Sequence, residues 1–177
     1  MKKIEYLFSE WGNLQYAGEG INQLEHALQT ATLAQDAQAS AALITAALLH
    51  DVGHLLNRKG ETPSAQGIDD RHQYFAAHFL KKFFPEAVTE PIRLHVEAKR
   101  ALCAQDAHYY EHLSEDSKRS LLLQGGVFNS LQLNTFMAQP FAQEALRLRR
   151  WDDLAKVKGK KTPELETFLN IAQTVLR

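Results

Sequence analysis

The sequence predicts an all-α protein. Three observations carry this: apolar residues recur at helical spacing in almost every segment, capping and breaking residues fall between those segments, and strand signals are weak. No internal repeat or low-complexity tract interrupts the pattern.

The elements follow in order. Met1 to Tyr6 lacks the uninterrupted apolar run of a signal peptide. Gly18-Glu19-Gly20 breaks the chain, and Asn22 is placed to cap a helix reaching about Ala39. On that helix His26, Thr30, Leu33 and Ala37 fall at i, i+4, i+7 and i+11, on one face. A second helix is expected from Ser40, with Leu43, Ala47, His50 and His54 forming an equivalent stripe that begins apolar and ends in imidazoles. Asn57, Gly60, Pro63, Ser64 and Gly67 mark a polar loop over 56–69. A third helix should run from about Arg71 to Phe84, closed by Pro85, and Thr89-Glu90-Pro91 reads as the start of a fourth. His95 and Lys99 share a face of that fourth helix. Further helices are expected over about Glu115–Gln124, ended by Gly125-Gly126, then Pro140–Lys156 and Pro163–Val175.

Composition narrows the function classes. A chain of 177 residues is expected to form one domain over 1–177, large enough to enclose a small-molecule pocket. Its net charge of -1 argues against a nucleic-acid surface or a polybasic membrane anchor. No segment approaches the roughly 20 apolar residues needed to span a bilayer. Cys103 stands alone, which excludes an intrachain disulfide and fits a reducing, cytoplasmic compartment; a small buried apolar role suits it best.

The chemistry concentrates at Leu48-Leu49-His50-Asp51-Val52-Gly53-His54. An adjacent His-Asp pair offers a cation one imidazole and one carboxylate, and the second carboxylate oxygen can bridge to another cation. Asp51 follows the apolar run 41–49, where an ionised carboxylate is costly unless paired or metal-bound. His26, His72, His95 and Asp152 are candidates to complete a two-metal centre. His26 suits a hydrogen-bonded core histidine equally well. His72 and His78 point in different directions on one helix, and His72, beside Asp69 and Asp70, is the better candidate. His108 and His112, in a polar stretch, read as solvated. Lys99, one turn from His95, and Arg149, three residues before Asp152, suit an anion that also touches the metal. Mixed imidazole and carboxylate donors favour iron, manganese or zinc over magnesium or calcium.

With these residues in view, the chain resembles the HD-domain superfamily, whose minimal pattern H…HD…D is matched by His26, His50-Asp51 and Asp152. More narrowly it is similar to the HD-domain mixed-valence diiron oxygenases, which include phosphonate-degrading C–P bond-cleaving enzymes and, more distantly, myo-inositol oxygenase. The similarity runs from Tyr16 to about Lys156 and is most specific at 23–28, 46–54, 95–100, 123–126 and 149–156.

The resemblance implies a fold and a site. The fold would be a helical bundle around a dinuclear centre. His26, His50, Asp51 and Asp152 would hold one iron, with Asp152 rather than Asp153 as ligand. Asp51 would bridge to a second iron held by His72 and His95. Tyr16 would shield an iron position until substrate displaces it, and Glu19 would receive the substrate amine. His54, Lys99, Ser117, Gln124 and Arg149 would surround the phosphonate. A trimethylated amine would need aromatic faces, for which Tyr16 and Phe75 are candidates. One departure is Gln73, where such enzymes are expected to carry glutamate after the third histidine.

The implied activity is an O2-dependent oxidation. A 1-hydroxy-2-aminoalkylphosphonate would be cleaved at its C–P bond to phosphate and a carboxylic acid, by a mixed-valence iron pair. The alternative is a manganese- or zinc-dependent HD-family phosphohydrolase acting on a small phosphate ester or nucleotide through a metal-bound water. Lys99 and Arg149 would serve either anion. A hydrolase, however, has no use for a tyrosine that shields iron from dioxygen.

Overall fold

A computed structural model of the chain describes residues 1–16, 18–57 and 63–177. The expected Gly60 of the polar loop lies outside the described residues. Among the described residues the architecture is helical, and one isolated bridge, Gln15↔Asn22, is its β-like feature.

The helices in chain order are α1 (Lys2–Trp11), α2 (Gln23–Asp36), α3 (Ala41–Leu49), α4 (Val52–Leu56), α5 (His72–Leu80) and α6 (Glu86–Gln105). They continue with α7 (Ala107–Glu111), α8 (Glu115–Leu123), α9 (Ser130–Met137), α10 (Ala142–Leu154) and α11 (Leu165–Gln173). A single 3-10 turn, Pro63–Gln66, lies between α4 and α5.

Local chemistry accounts for several boundaries. Gly18 and Gly20 take φ of 73° and 75°, a region closed to most side chains, and so turn the chain before α2. Asn22 then closes a reciprocal capping box with Glu25. Ser40 caps α3 through the Leu43 amide. All of Leu43–Leu49 is buried, so α3 is apolar all round and forms the spine of the core. Ile4, Phe8, Leu48, Leu80, Phe84, Ile92 and Phe168 pack around it, tying α1, α5, α6 and α11 to one cluster. A second cluster, including Leu94, Leu102, Phe136 and Leu146, joins α6 to α9 and α10. Cys103 is free and buried in a third, with Leu113 and Leu121.

Four expectations are corrected. The helix expected to carry both His50 and His54 breaks: α3 ends at Leu49, Asp51 takes φ -99° and ψ 7°, and α4 restarts at Val52. The third helix stops at Leu80, four residues short of Phe84. The fourth starts at Glu86 under Pro85, so Pro91 lies inside it, and Thr89 donates back to the Pro85 carbonyl instead of capping. The helix through His26 ends at Asp36, leaving Ala37 exposed; the buried stripe runs His26, Thr30, Ala31, Ala34. Helices α1, α7 and α9 had no specific expectation, since each is short or bounded by ordinary polar residues. Among the described residues no helix is long and apolar enough to cross a membrane.

Candidate metal centre

Two clusters of ligand-type atoms meet in the middle of the bundle. The first comprises His26 from α2, His50 at the end of α3, Asp51, and Asp152 from α10. His26 Nε2 lies 3.2 Å from His50 Nε2, 3.5 Å from Asp51 Oδ2 and 3.3 Å from Asp152 Oδ1. His50 Nε2 is 3.4 Å from the same Asp51 oxygen. The second cluster is His72 from α5, His95 from α6, and Asp51 again. His72 Nε2 is 3.1 Å from His95 Nε2, and the two lie 3.3 and 3.7 Å from Asp51 Oδ1. The two oxygens of one carboxylate therefore face two different imidazole pairs.

The proton positions explain why these atoms converge. His26 Nδ1 meets the Ala155 carbonyl at 2.9 Å, His50 Nδ1 the Ala47 carbonyl at 2.9 Å, and His95 Nδ1 the Ile92 carbonyl at 2.6 Å. A carbonyl only accepts, so each Nδ1 carries the hydrogen and each Nε2 turns a lone pair inward. His72 Nδ1 is held likewise by Asp70 Oδ1 at 2.9 Å. The paired Nε2 atoms, 3.1 and 3.2 Å apart, thus turn toward each other with their Nδ1 sides already engaged. Metal–ligand bonds of roughly 2.0–2.2 Å give ligand–ligand edges of about this length. The described residues thus form a dinuclear metal-binding site. Imidazole and carboxylate donors with outward hydrogen bonds fit iron, manganese or zinc.

Asp70 was not anticipated by sequence beyond its position next to His72. Its other oxygen holds His54 Nδ1 at 2.6 Å, and the His54 ring stacks on His72 at 4.0 Å. The carboxylate lies behind both rings and orients them. Burial disfavours the charged form of His54, but Asp51 and Asp70 outweigh it and raise its pKa above the ordinary value.

A cavity of about 320 Å³ opens beside the two clusters. Its lining includes Tyr16, His54, Lys99, Ser117, Gln124 and Arg149, together with Asp51, His72, His95 and Asp152. Lys99 is 2% exposed and bonds the Ser120 hydroxyl at 2.6 Å and the Ser117 carbonyl at 3.3 Å, with no carboxylate partner among the described residues. Burial, helped by the nearby Arg149 charge, pushes its pKa down to about 7. Arg149 differs. It pairs with Asp152 at 2.8 Å and with Asp153, which the Tyr109 hydroxyl also reaches, so its charge is largely answered within the protein. Among the described residues neither the buried Oε1 of Gln124 nor that of Gln73 has a hydrogen-bond partner.

Tyr16 stacks on His26, with ring centroids 3.8 Å apart, and its hydroxyl donates to Asp152 Oδ1 at 3.3 Å. Burial, then the Asp152 and Asp51 charges, raise its pKa well above the usual phenol value, so it is a neutral donor. Glu19 is set back. It does not line the cavity; Lys156 does, with its ammonium 3.5 Å from Glu19 Oε1. Phe75 is 46% exposed and away from the lining, which removes it as an aromatic wall. His78, His108 and His112 are exposed. Ser120 and Lys156 were missed because each acts through a partner far along the chain, whereas Asp153 holds Arg149 one helical turn away.

Comparison with known proteins agrees with this geometry. The HD domain pattern matches residues 24–156. The chain is 48% identical to the hydroxymethylphosphonate dioxygenase of Gimesia maris over 151 residues, 85% of this chain and 75% of that protein. It is 34% identical over 170 residues to the [1-hydroxy-2-(trimethylamino)ethyl]phosphonate dioxygenase (glycine-betaine-forming) of Leisingera caerulea, 96% of this chain and 87% of that one. An uncharacterized protein of Acanthamoeba polyphaga mimivirus is 31% identical over 93% of the chain. With the pattern spanning three quarters of its length and two dioxygenases this similar to it, the chain belongs to the HD-domain family and is related to the hydroxyphosphonate dioxygenases.

Proposed function

We propose that this protein is an O2-dependent diiron oxygenase that cleaves the C–P bond of a 1-hydroxyphosphonate, with a 1-hydroxy-2-aminoalkylphosphonate as substrate class. The observation that carries the proposal is the single carboxylate, Asp51, set between two histidine pairs beside a cavity walled by the buried Lys99. Both named relatives are dioxygenases acting on hydroxyphosphonates, which favours this reading over phosphate-ester hydrolysis. The single free cysteine is consistent with a cytoplasmic enzyme, and we treat residues 1–177 as one domain.

His26, His50, Asp51 and Asp152 would hold one iron, and Asp51, His72 and His95 the other. With fewer protein donors, the second position is left open on the cavity side. When bound, the iron pair supplies the redox chemistry with dioxygen, which side chains alone lack. For the aminoethyl compound the overall reaction balances as one substrate plus one O2 giving glycine and phosphate. Substrate loses four electrons, dioxygen gains them, and the C–P bond is replaced by C–O and P–O bonds.

The chain's own residues position and neutralise the substrate. Among the described residues of the cavity wall, the Lys99 ammonium bonds a hydroxyl and a carbonyl and no carboxylate, and so would pair strongly with the phosphonate. His54, oriented by Asp70 at 2.6 Å, would add a second donor. Arg149, fixed by Asp152 and Asp153, is a rigid donor edge more than a free charge, and bonds Ser117 Oγ at 3.4 Å. Gln124 offers an unused amide oxygen to a substrate O–H or N–H. Tyr16 covers His26 and excludes water from the first cluster until substrate arrives.

The test is phosphate release from (1-hydroxy-2-aminoethyl)phosphonate by iron-loaded protein, in air and under argon. The expected result is stoichiometric phosphate and glycine in air and at least a hundredfold less without oxygen. Equal release under argon, or release from phosphate esters alone, would move the assignment to a hydrolase.

A further inference from the structure

The family resemblance assigns the substrate's amine to Glu19, and Lys156 stands beside that carboxylate. It follows α10, lines the cavity, and directs its ammonium to Glu19 Oε1 at 3.5 Å, Ser114 Oγ at 3.2 Å and Ser117 Oγ at 3.4 Å. Glu19 lies behind it on the turn between Gly18 and Gly20 and does not touch the cavity. Among the described residues Glu19 has no other ion-pair partner. The same ammonium lies 6.0 Å from the Tyr16 ring centroid, so the aromatic face nearest this corner is already shared with a cation.

We propose that Lys156 is a specificity-determining residue: its ammonium competes with a substrate ammonium for Glu19, and so sets how strongly the site favours an amino-substituted over an unsubstituted hydroxyphosphonate. The inference rests on the oxygenase reading and deepens it. Two ammonium groups drawn to one carboxylate repel each other, so the resident Lys156 weakens the hold of Glu19 on an incoming one. Lys156 has somewhere to go, since the Ser114 and Ser117 hydroxyls already hold it and lie beside the Lys99–Arg149 corner. A substrate without an amine leaves the Glu19–Lys156 pair intact and meets no such competition. Specificity is the difference between these two costs.

The experiment compares wild type with Lys156→Met, which keeps the apolar stem, and Lys156→Arg, which keeps the charge. Anaerobic calorimetric titration of the iron-loaded proteins uses two probes, (1-hydroxy-2-aminoethyl)phosphonate and hydroxymethylphosphonate. Loss of a general phosphonate contact weakens both probes equally and cancels in their affinity ratio. The expected result is that Lys156→Met shifts the ratio by about fivefold toward the amino compound, the scale of one solvent-accessible charge pair, and that Lys156→Arg restores it. Adding Glu19→Gln to Lys156→Met should abolish the shift. An unchanged ratio in a variant that binds both probes overturns the assignment of Lys156 and leaves the oxygenase reading standing. Failure of wild type to bind either probe overturns that reading, and the role of Lys156 with it.

Discussion

At Asp51 two demands meet on one side chain. It must stay ionised at 7% exposure, where a lone carboxylate would instead take a proton, and it must reach imidazoles on both sides. Burial raises its pKa, but His50 and the other surrounding histidines pull it well below the ordinary carboxylate value. Lys99 presents the complementary case. Its pKa of about 7 means that, above neutrality, the free protein must take up a proton to bind an anion there as ammonium. The sign follows: a depressed lysine pKa makes anion affinity fall as pH rises through and beyond that value. Titrating an unreactive phosphonate between pH 7.5 and 8.5 should raise Kd on the order of tenfold in wild type, with the pH dependence lost in Lys99→Met. A parallel slope in the variant would place the proton elsewhere.

Among the elements, the junction of α4 with α5 fixes the second cluster. A Cβ built on Gly53 would lie 2.0 Å from the His72 carbonyl oxygen, so α4 can approach the start of α5 only because residue 53 lacks a side chain. Arg71, at φ 52°, turns the backbone just before His72, and Asp70 accepts from the His72 amide and ring. Gly53→Ala should push His72 off its bearing, lowering stability by about 1–3 kcal/mol and bound metal from two ions per chain toward one, read by elemental analysis and thermal melting. Two tightly held ions with an unchanged Tm would show that the contact is not limiting. At this scale the sequence was legible wherever a local signal existed. The caps at Asn22 and Ser40 and the glycine breaks at 18, 20, 125 and 126 stand where their chemistry requires. It misled where two local signals competed. Pro91 resembles a helix start, but Pro85 takes that role, and one lost amide donor is tolerated inside the twenty-residue α6.

For the molecule as a whole, the centre is a product of topology. Histidines at 26, 50, 72 and 95 come from four consecutive parts of the chain, and Asp152 arrives from α10, packed against α6 and α2. The set of side chains was legible from the residue types and the family pattern. Their supports were not. Asp70 behind His54, Ser120 under Lys99, Asp153 and Tyr109 holding Arg149, and Lys156 before Glu19 depend mostly on contacts between distant elements, with no local period to reveal them. The central claim is that one carboxylate couples two metals at the wall of a phosphonate-sized cavity. The direct measurement is EPR of anaerobically reduced, partly reoxidised iron-loaded protein, with and without (1-hydroxy-2-aminoethyl)phosphonate. Two irons per chain giving a spin-coupled mixed-valence signal that the compound perturbs is the predicted result; a single iron, or two uncoupled ones indifferent to the compound, would contradict it.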